Sequence, residues 1–490
     1  MADAYARMSG EVAVLTLHQG CGLTNAMTGI TEAAKSRTSL LVLAAEATAP
    51  TSNFAIDQTA MARAVGAESV RVSASDTACD EAARAFYLAR DERRTVLLNL
   101  PLDVQLAEVA ADVDVAPHDP PPPVEPATDD VASLAALLAT AERPVLIAGR
   151  GARHAGAELV ALGDVCGALL ATSAVAKGLF NDSPWSLDVS GGFASPLAAE
   201  LIGAADVVVG FGCALNMWTT RHGRLIGPDV RVAQVDVEYS AIGRHRPVDL
   251  GVVGDSAAFA NAVTSALRGQ EHDGYRDQSI RDRIIREIAW RSVPYDDWGG
   301  SGTIDPRTMT IALDDMLPAE RVVAIDSGNF MGYPSMFLSV PDENGFCFTQ
   351  AFQSIGLGLA TAIGAALAQP ERLPVAALGD GGALMAAAEL DTLRRLGLSM
   401  LVVVYNDAAY GAEVHHFTDG QPLDTVTFPD TDIAAIGAGY GLDAVTVRTL
   451  TDLDGVRRWI NGPRDRAIVV DAKVAAPRGS WWLEEAFRGH

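Results

Sequence analysis

LGDGGALMAAAELDTLRRLGLSMLVVVYNDAAYG, Leu378 to Gly411, decides how the rest of this chain is read. An apolar run ends in Gly379-Asp380-Gly381-Gly382, a helical stretch follows, and a second β-rich run ends at Asn406-Asp407. The 27 positions from Asp380 to Asp407 fit one β–α–β crossover. Both carboxylates then stand at the carboxyl ends of parallel strands, where open α/β sheets bind ligands. The glycines let the backbone come close to a diphosphate and turn N–H groups toward it. Asp380 is a hard oxygen ligand, and Mg²⁺ usually takes one or two carboxylates together with phosphate oxygens. Either turn alone is ordinary turn chemistry. The two together, each closing a β run, point to a metal–diphosphate site.

The alternation of strand and helix extends outward in both directions. Downstream lies AIVVDAKV (Ala467–Val474), and upstream lies RVVAID (Arg321–Asp326), so one α/β unit spans 304–490. PVLIAG (Pro144–Gly149), DVVVGFG (Asp206–Gly212) and VRVAQVDV (Val230–Val237) mark a second over 129–268. EVAVLTL (Glu11–Leu17), SLLVLAAE (Ser39–Glu46) and TVLLNLP (Thr95–Pro101) mark a third over 1–115. The proline-rich segment 116–128 cannot continue helix or strand and reads as an extended linker. A charged connection, 269–303, carries one exposed helix, YRDQSIRDRIIRE. The fold class is therefore α/β, with three parallel-sheet domains, as a length of 490 residues allows.

Composition excludes several roles. With 37 Lys+Arg against 62 Asp+Glu and a net charge of −25, the chain offers no basic face for nucleic acid. Five scattered cysteines without a C-x-x-C pair argue against zinc and for reduced thiols in the cytoplasm. The uncharged run between Glu343 and Glu371 is broken by glycines and polar residues, so it predicts a buried helix and not a membrane span.

The Gly-Asp-Gly turn, crossover and Asn-Asp turn resemble the diphosphate motif of the thiamine diphosphate enzymes, the superfamily of acetolactate synthase, pyruvate decarboxylase and benzoylformate decarboxylase. The resemblance covers nearly the whole chain. It implies a pyrimidine-binding domain, a central Rossmann-like domain and a diphosphate-binding domain, in that order. It implies Asp380, Asp407 and the carbonyl of Ala409 as Mg²⁺ ligands, with Gly379, Gly381 and Gly382 against the diphosphate. The family's second Asn is Asp407 here, an extra negative charge that should tighten Mg²⁺ or favour another hard divalent ion. AFQSIGLGLATAIGAALAQP (Ala351–Pro370) is similar to the family's helix under the thiazolium. There Ile355 would wedge the cofactor into its bent form, and backbone groups of Gln353 and Ile355 would hold the aminopyrimidine. DSGNFMG (Asp326–Gly332) would cap the diphosphate through Asn329 and Phe330.

In the first domain, His18 falls where benzoylformate decarboxylase has its active-site histidine, with Gln19 following. Glu413, six residues after Asp407, matches the glutamate of pyruvate decarboxylase that protonates the intermediate. His18 and Glu413 are thus candidates for proton transfer, with Gln19 beside His18. In the central domain, Gly149-x-Gly151-x-x-His154 is one glycine short of a dinucleotide fingerprint. Acetolactate synthases bind FAD on this domain, but their typical stretch is not kept in Gly210–Gly227, so FAD is left open and unsupported. The segment MADAYAR resembles one that the family places just after its activating glutamate. That glutamate and the strand before it are then expected to be absent from the sequence as given, leaving the first sheet a strand short; Glu11 is too late in register to replace it.

The expectation is a cytoplasmic thiamine diphosphate- and Mg²⁺-dependent enzyme of the acetolactate synthase type, acting on a small 2-oxo acid as a homodimer or homotetramer. Its rivals are a simple 2-oxo acid decarboxylase and a non-catalytic cofactor-binding protein.

Overall fold

The computed structural model describes residues 1–109, 118–417 and 420–483; two residues of the expected linker, Ala116 and Pro117, fall outside these. Three parallel sheets follow one another along the chain. The first contains β1 (Ala13–Leu17), β2 (Leu40–Glu46), β3 (Glu68–Arg71) and β4 (Thr95–Pro101) in the order β1-β2-β4-β3. The second contains β5 (Pro144–Ala148), β6 (Leu169–Thr172), β7 (Ser186–Val189), β8 (Val207–Phe211), β9 (Arg231–Asp236) and β10 (Leu250–Val253), ordered β10-β9-β8-β5-β6-β7. The third contains β11 (Arg321–Ile325), β12 (Phe346–Phe348), β13 (Leu373–Gly379), β14 (Leu401–Asn406), β15 (Asp443–Val447) and β16 (Ile468–Lys473), ordered β12-β11-β13-β14-β16-β15.

The central strands are apolar along their whole length because helices cover both faces, as parallel sheets require. Every residue of β5, β8, β11 and β14 is buried. In the third sheet the chain passes from β11 to β12 on one side, then crosses to β13 on the other. The carboxyl ends of β11 and β13 therefore flank a switch point, the place where such a sheet leaves a crevice for ligands. Asp326, Asp380 and Asp407 all lie at that edge.

The charge-free run does contain a buried helix, Gly358–Ala368, and no described helix is long and apolar enough to cross a membrane. The opening helix, Ala2–Ser9, packs on it so closely that a Cβ on Gly364 would lie 2.1 Å from the Met1 carbonyl oxygen. Ala4 and Met8 thus belong to the core of the third unit, although the sequence reading placed them in the first. β1 is an edge strand of its sheet, with Val14 54% exposed.

Candidate active site

β13 delivers Asp380 as the first residue of a short helix, Asp380–Met385. Its Oδ1 accepts the N–H of Gly381 (2.8 Å) and its Oδ2 that of Ala409 (3.1 Å). The second of these joins the two turns. Asp407 ends the other turn, followed by Ala408 in the left-handed region (φ 57°). Asn406 holds this strained turn: its Oδ1 accepts the N–H of Ala408 (3.1 Å), and its Nδ2 donates to the buried Asp471 (2.8 Å). Asp471 in turn pairs with Lys473 (3.1 Å).

Neither Asp380 nor Asp407 has an ion-pair partner among the described residues. Asp380 is 3% exposed. Burial pushes its carboxyl up to about 6, against the pull of the Gly381 and Ala409 N–H groups. Burial and then the neighbouring Asp380 charge push Asp407 up to about 7. Two desolvated carboxylates, one of them raised further by the charge of the other, fit a divalent cation between them.

The pocket around the pair is also lined by Asn329, Phe330, Ile355, Gly379, Gly381, Gly382 and Ala409. Every metal and diphosphate residue expected from the sequence is thus brought together. The glycines are required sterically: a Cβ on Gly381 would lie 2.3 Å from the Tyr410 ring, and one on Gly382 2.2 Å from Asp326 Oδ2. Phe330 lies beneath, stacked on Tyr405 at 5.3 Å.

Asp326 was not singled out from sequence. It is 1% exposed, and burial raises its carboxyl to about 6. It accepts the N–H groups of Ser327 (2.8 Å) and Gly356 (3.0 Å), tying the cap turn to the turn that carries Ile355. A lone Asp closing a buried β run was the signal available. Tyr410 gave no signal in advance.

Other expected residues lie elsewhere. Gln353 is exposed, has φ 60°, and lines a different cavity from Ile355. His18 is exposed at the tip of β1, its Nδ1 2.8 Å from the Gln19 carbonyl and its ring edge-on to Phe54. Gln19 keeps a buried Oε1 without a partner. Neither His18 nor Gln19 lines the Asp380 pocket. Glu413 is half-buried on the short helix Gly411–His416, whose first two residues do line it.

A cavity of about 2120 Å³ lies apart from the carboxylate pair, where all three units meet. Arg37, Arg94, Arg150 and Arg244 are among the residues that line it. The glycines of Gly149-x-Gly151 pack against Gly212: a Cβ on Gly149 would lie 2.2 Å from the Gly212 carbonyl oxygen. Close contact between two turns accounts for them.

Three family models match this chain, and together they cover well over half of it. They are described as the thiamine pyrophosphate enzyme N-terminal TPP binding domain (1–64), central domain (131–263) and C-terminal TPP binding domain (326–472). Among curated proteins, a probable acetolactate synthase large subunit of Methanocaldococcus jannaschii is 25% identical, over 97% of this chain and 84% of its own length. A sulfoacetaldehyde acetyltransferase of Rhodobacter capsulatus is 28% identical, over 92% and 82%. A probable 2-ketoarginine decarboxylase of Pseudomonas aeruginosa is also 28% identical, over 94% and 82%.

Proposed function

We propose, from the premise that this chain belongs to the thiamine pyrophosphate enzymes, that it decarboxylates a small 2-oxo acid and joins the remaining fragment to a second carbonyl compound. The observation that carries this is the Asp380–Asp407 pair, desolvated and without a cation, in one pocket with Asn329, Ile355 and the close-packed glycines. Mg²⁺ fits that donor set: Asp380, Asp407 and the Ala409 carbonyl would hold it, together with oxygens of a diphosphate. Thiamine diphosphate, when bound, supplies a nucleophilic carbon and takes up the electron pair released with CO₂. The protein's part is to hold the diphosphate on the Gly381–Gly382 turn, to present Ile355 as an apolar support, and to exclude water.

His18 does not line the Asp380 pocket of its own chain, which supports a homodimer or homotetramer in which one subunit's first domain faces another's third. FAD enters only through the resemblance to acetolactate synthases and is not part of this reading. Five free thiols accord with a reducing cytoplasm. The placement of Glu413 beside the pocket favours a second reading, simple decarboxylation with Glu413 as proton donor.

Pyruvate supplied with thiamine diphosphate and Mg²⁺ tests both. Acetolactate supports the first reading and acetaldehyde the second; no CO₂ from pyruvate or other small 2-oxo acids overturns both. Asp380→Ala should lose cofactor retention with its fold intact. His18→Ala and Glu413→Gln should each cost ~10²–10⁴ in rate if these groups move protons.

A further inference from the structure

The segment after β16 runs back over the diphosphate cap and is fastened to it. The Ser480 N–H donates to Asn329 Oδ1 (3.1 Å), and the Ser480 hydroxyl reaches Asn329 Oδ1 (2.5 Å) and the Asn329 carbonyl (2.9 Å). The indole N–H of Trp482 donates to that same carbonyl (3.1 Å). Trp482 is seated on Gly332, where a Cβ would lie 2.5 Å from the indole, and meets the Tyr333 ring edge-on at 5.1 Å. All three partners are buried, Asn329 and Ser480 at 5% exposure and Trp482 at 3%.

This contact decides which way the Asn329 amide faces. A backbone N–H can only donate, so the atom opposite Ser480 N must be the amide oxygen. The NH₂ end then points the other way. It lies on the wall formed by Gly411, where a Cβ would be 3.4 Å from Asn329 Nδ2 and 2.6 Å from Asp407 Oδ2. Asn329 Nδ2 donates to no described residue, although the side chain is nearly fully buried. Asn329 also lines the pocket that holds the carboxylate pair, so this unpaired donor is open to an acceptor from a ligand there. Beside a metal-binding carboxylate pair, a phosphate oxygen is the chemistry that supplies it.

We propose that Ser480 is a positioning residue of the diphosphate site: it fixes the Asn329 amide so that its N–H donors, and not its oxygen, face the phosphate. The proposal rests on the cofactor reading above. The chain's last described segment is then part of the anion site through Asn329, and the cap turn is preset before the cofactor arrives.

Calorimetric titration of thiamine diphosphate with Mg²⁺ tests this. Ser480→Ala keeps the backbone donor, so its Kd should rise about 3- to 10-fold. Asn329→Ala should raise it about 10- to 100-fold, the usual range for a hydrogen bond to a charged group. Asn329→Asp keeps the clasp but turns an oxygen on the phosphate, and should weaken binding beyond Asn329→Ala. The double variant Ser480→Ala/Asn329→Ala should bind no more weakly than Asn329→Ala alone, because the proposed effect of Ser480 on the phosphate runs through that side chain. A merely structural Ser480 would cost the same factor in either background, and additive losses would overturn the proposal. So would a Ser480→Ala protein that binds as tightly as the wild type. If the wild type itself does not bind thiamine diphosphate, the cofactor reading fails first, and the role of Ser480 with it.

Discussion

Among the described residues, the carboxylates Asp3 and Glu32 and the carboxylates Asp380 and Asp407 are both largely withdrawn from water, and the two pairs differ in what stands between them. Around Arg7, the guanidinium bonds Asp3 (3.0 Å), Glu32 (2.8 Å), the Ser36 hydroxyl (2.5 Å) and the Phe348 carbonyl (3.1 Å). Glu32 spends its remaining acceptors on the N–H groups of Ala351 and Phe352, so the node ties the first unit to the third. Burial alone would weaken the Arg7 proton, yet Asp3 and Glu32 outweigh it, and the pKa is raised. At the β13–β14 edge, Asp380 and Asp407 have comparable backbone support and no cation. A complete charge node fastens two units together, and the incomplete one leaves room for an ion and an anionic ligand.

The largest effect should come from breaking the complete node. Arg7→Ala strands Asp3 and Glu32 as buried charges, and about 3–5 kcal/mol of stability should go with it. Chemical denaturation of the ligand-free protein measures this. A loss below about 1 kcal/mol would show that the node is not a structural fastening.

The sequence announced the incomplete node and hid the complete one. Gly-Asp-Gly and Asn-Asp are local signals, each at the end of an apolar strand, and their spacing fixed the parallel crossover. The eight strand runs quoted with their residue ranges all became strands within two residues at either end, because their apolar length is a direct consequence of burial on both faces. Glu32 is 25 positions from Arg7 and 320 from Phe352, and nothing local marks it as buried in an amphipathic helix. Asp326 and Asn406 were visible only as polar residues closing apolar runs. Their work on neighbouring turns depends on which backbone N–H groups the fold brings near. Ser480 is a still more distant case.

A middle-sized effect should come from changing the incomplete node. Asp407 and Asp380 have folded pKa values of about 7 and about 6, raised from the ordinary 3.8. The folded state therefore holds more protons than the unfolded one between pH 4 and 7, and ligand-free stability should fall as pH rises through that window. Each group contributes about 1.4 kcal/mol of that loss for every pH unit over which it holds its proton in the folded state alone. Asp407→Asn removes one of the two buried charges, so the ligand-free variant should be the more stable protein above pH 7 and lose that advantage below pH 4. Mg²⁺ should stabilise the wild type more than the variant, and most above pH 7, where protons no longer compete for the pair. Denaturation midpoints from pH 4 to 8, with and without Mg²⁺, check this. Parallel pH curves for the two proteins would mean that the carboxylates do not repel as placed.

The smallest effect isolates pairing from burial. Arg283 and Glu200 make two hydrogen bonds of 2.8 Å each, a geometry as good as any at Arg7. Their side chains are 31% and 57% exposed. Water already solvates both charges, so the pair exchanges one set of favourable contacts for another and holds two long side chains still to do so. Arg283→Ala should therefore cost less than about 1 kcal/mol, and 1 M salt should erase what cost there is, since the screening length falls to about 3 Å. Denaturation in low and high salt separates the two contributions. If Arg283→Ala were as damaging as Arg7→Ala, good geometry and not burial would be the source of the energy. The raised pKa values of Asp380 and Asp407, which rest on desolvation before anything else, would then lose their physical basis as a sign of a missing cation.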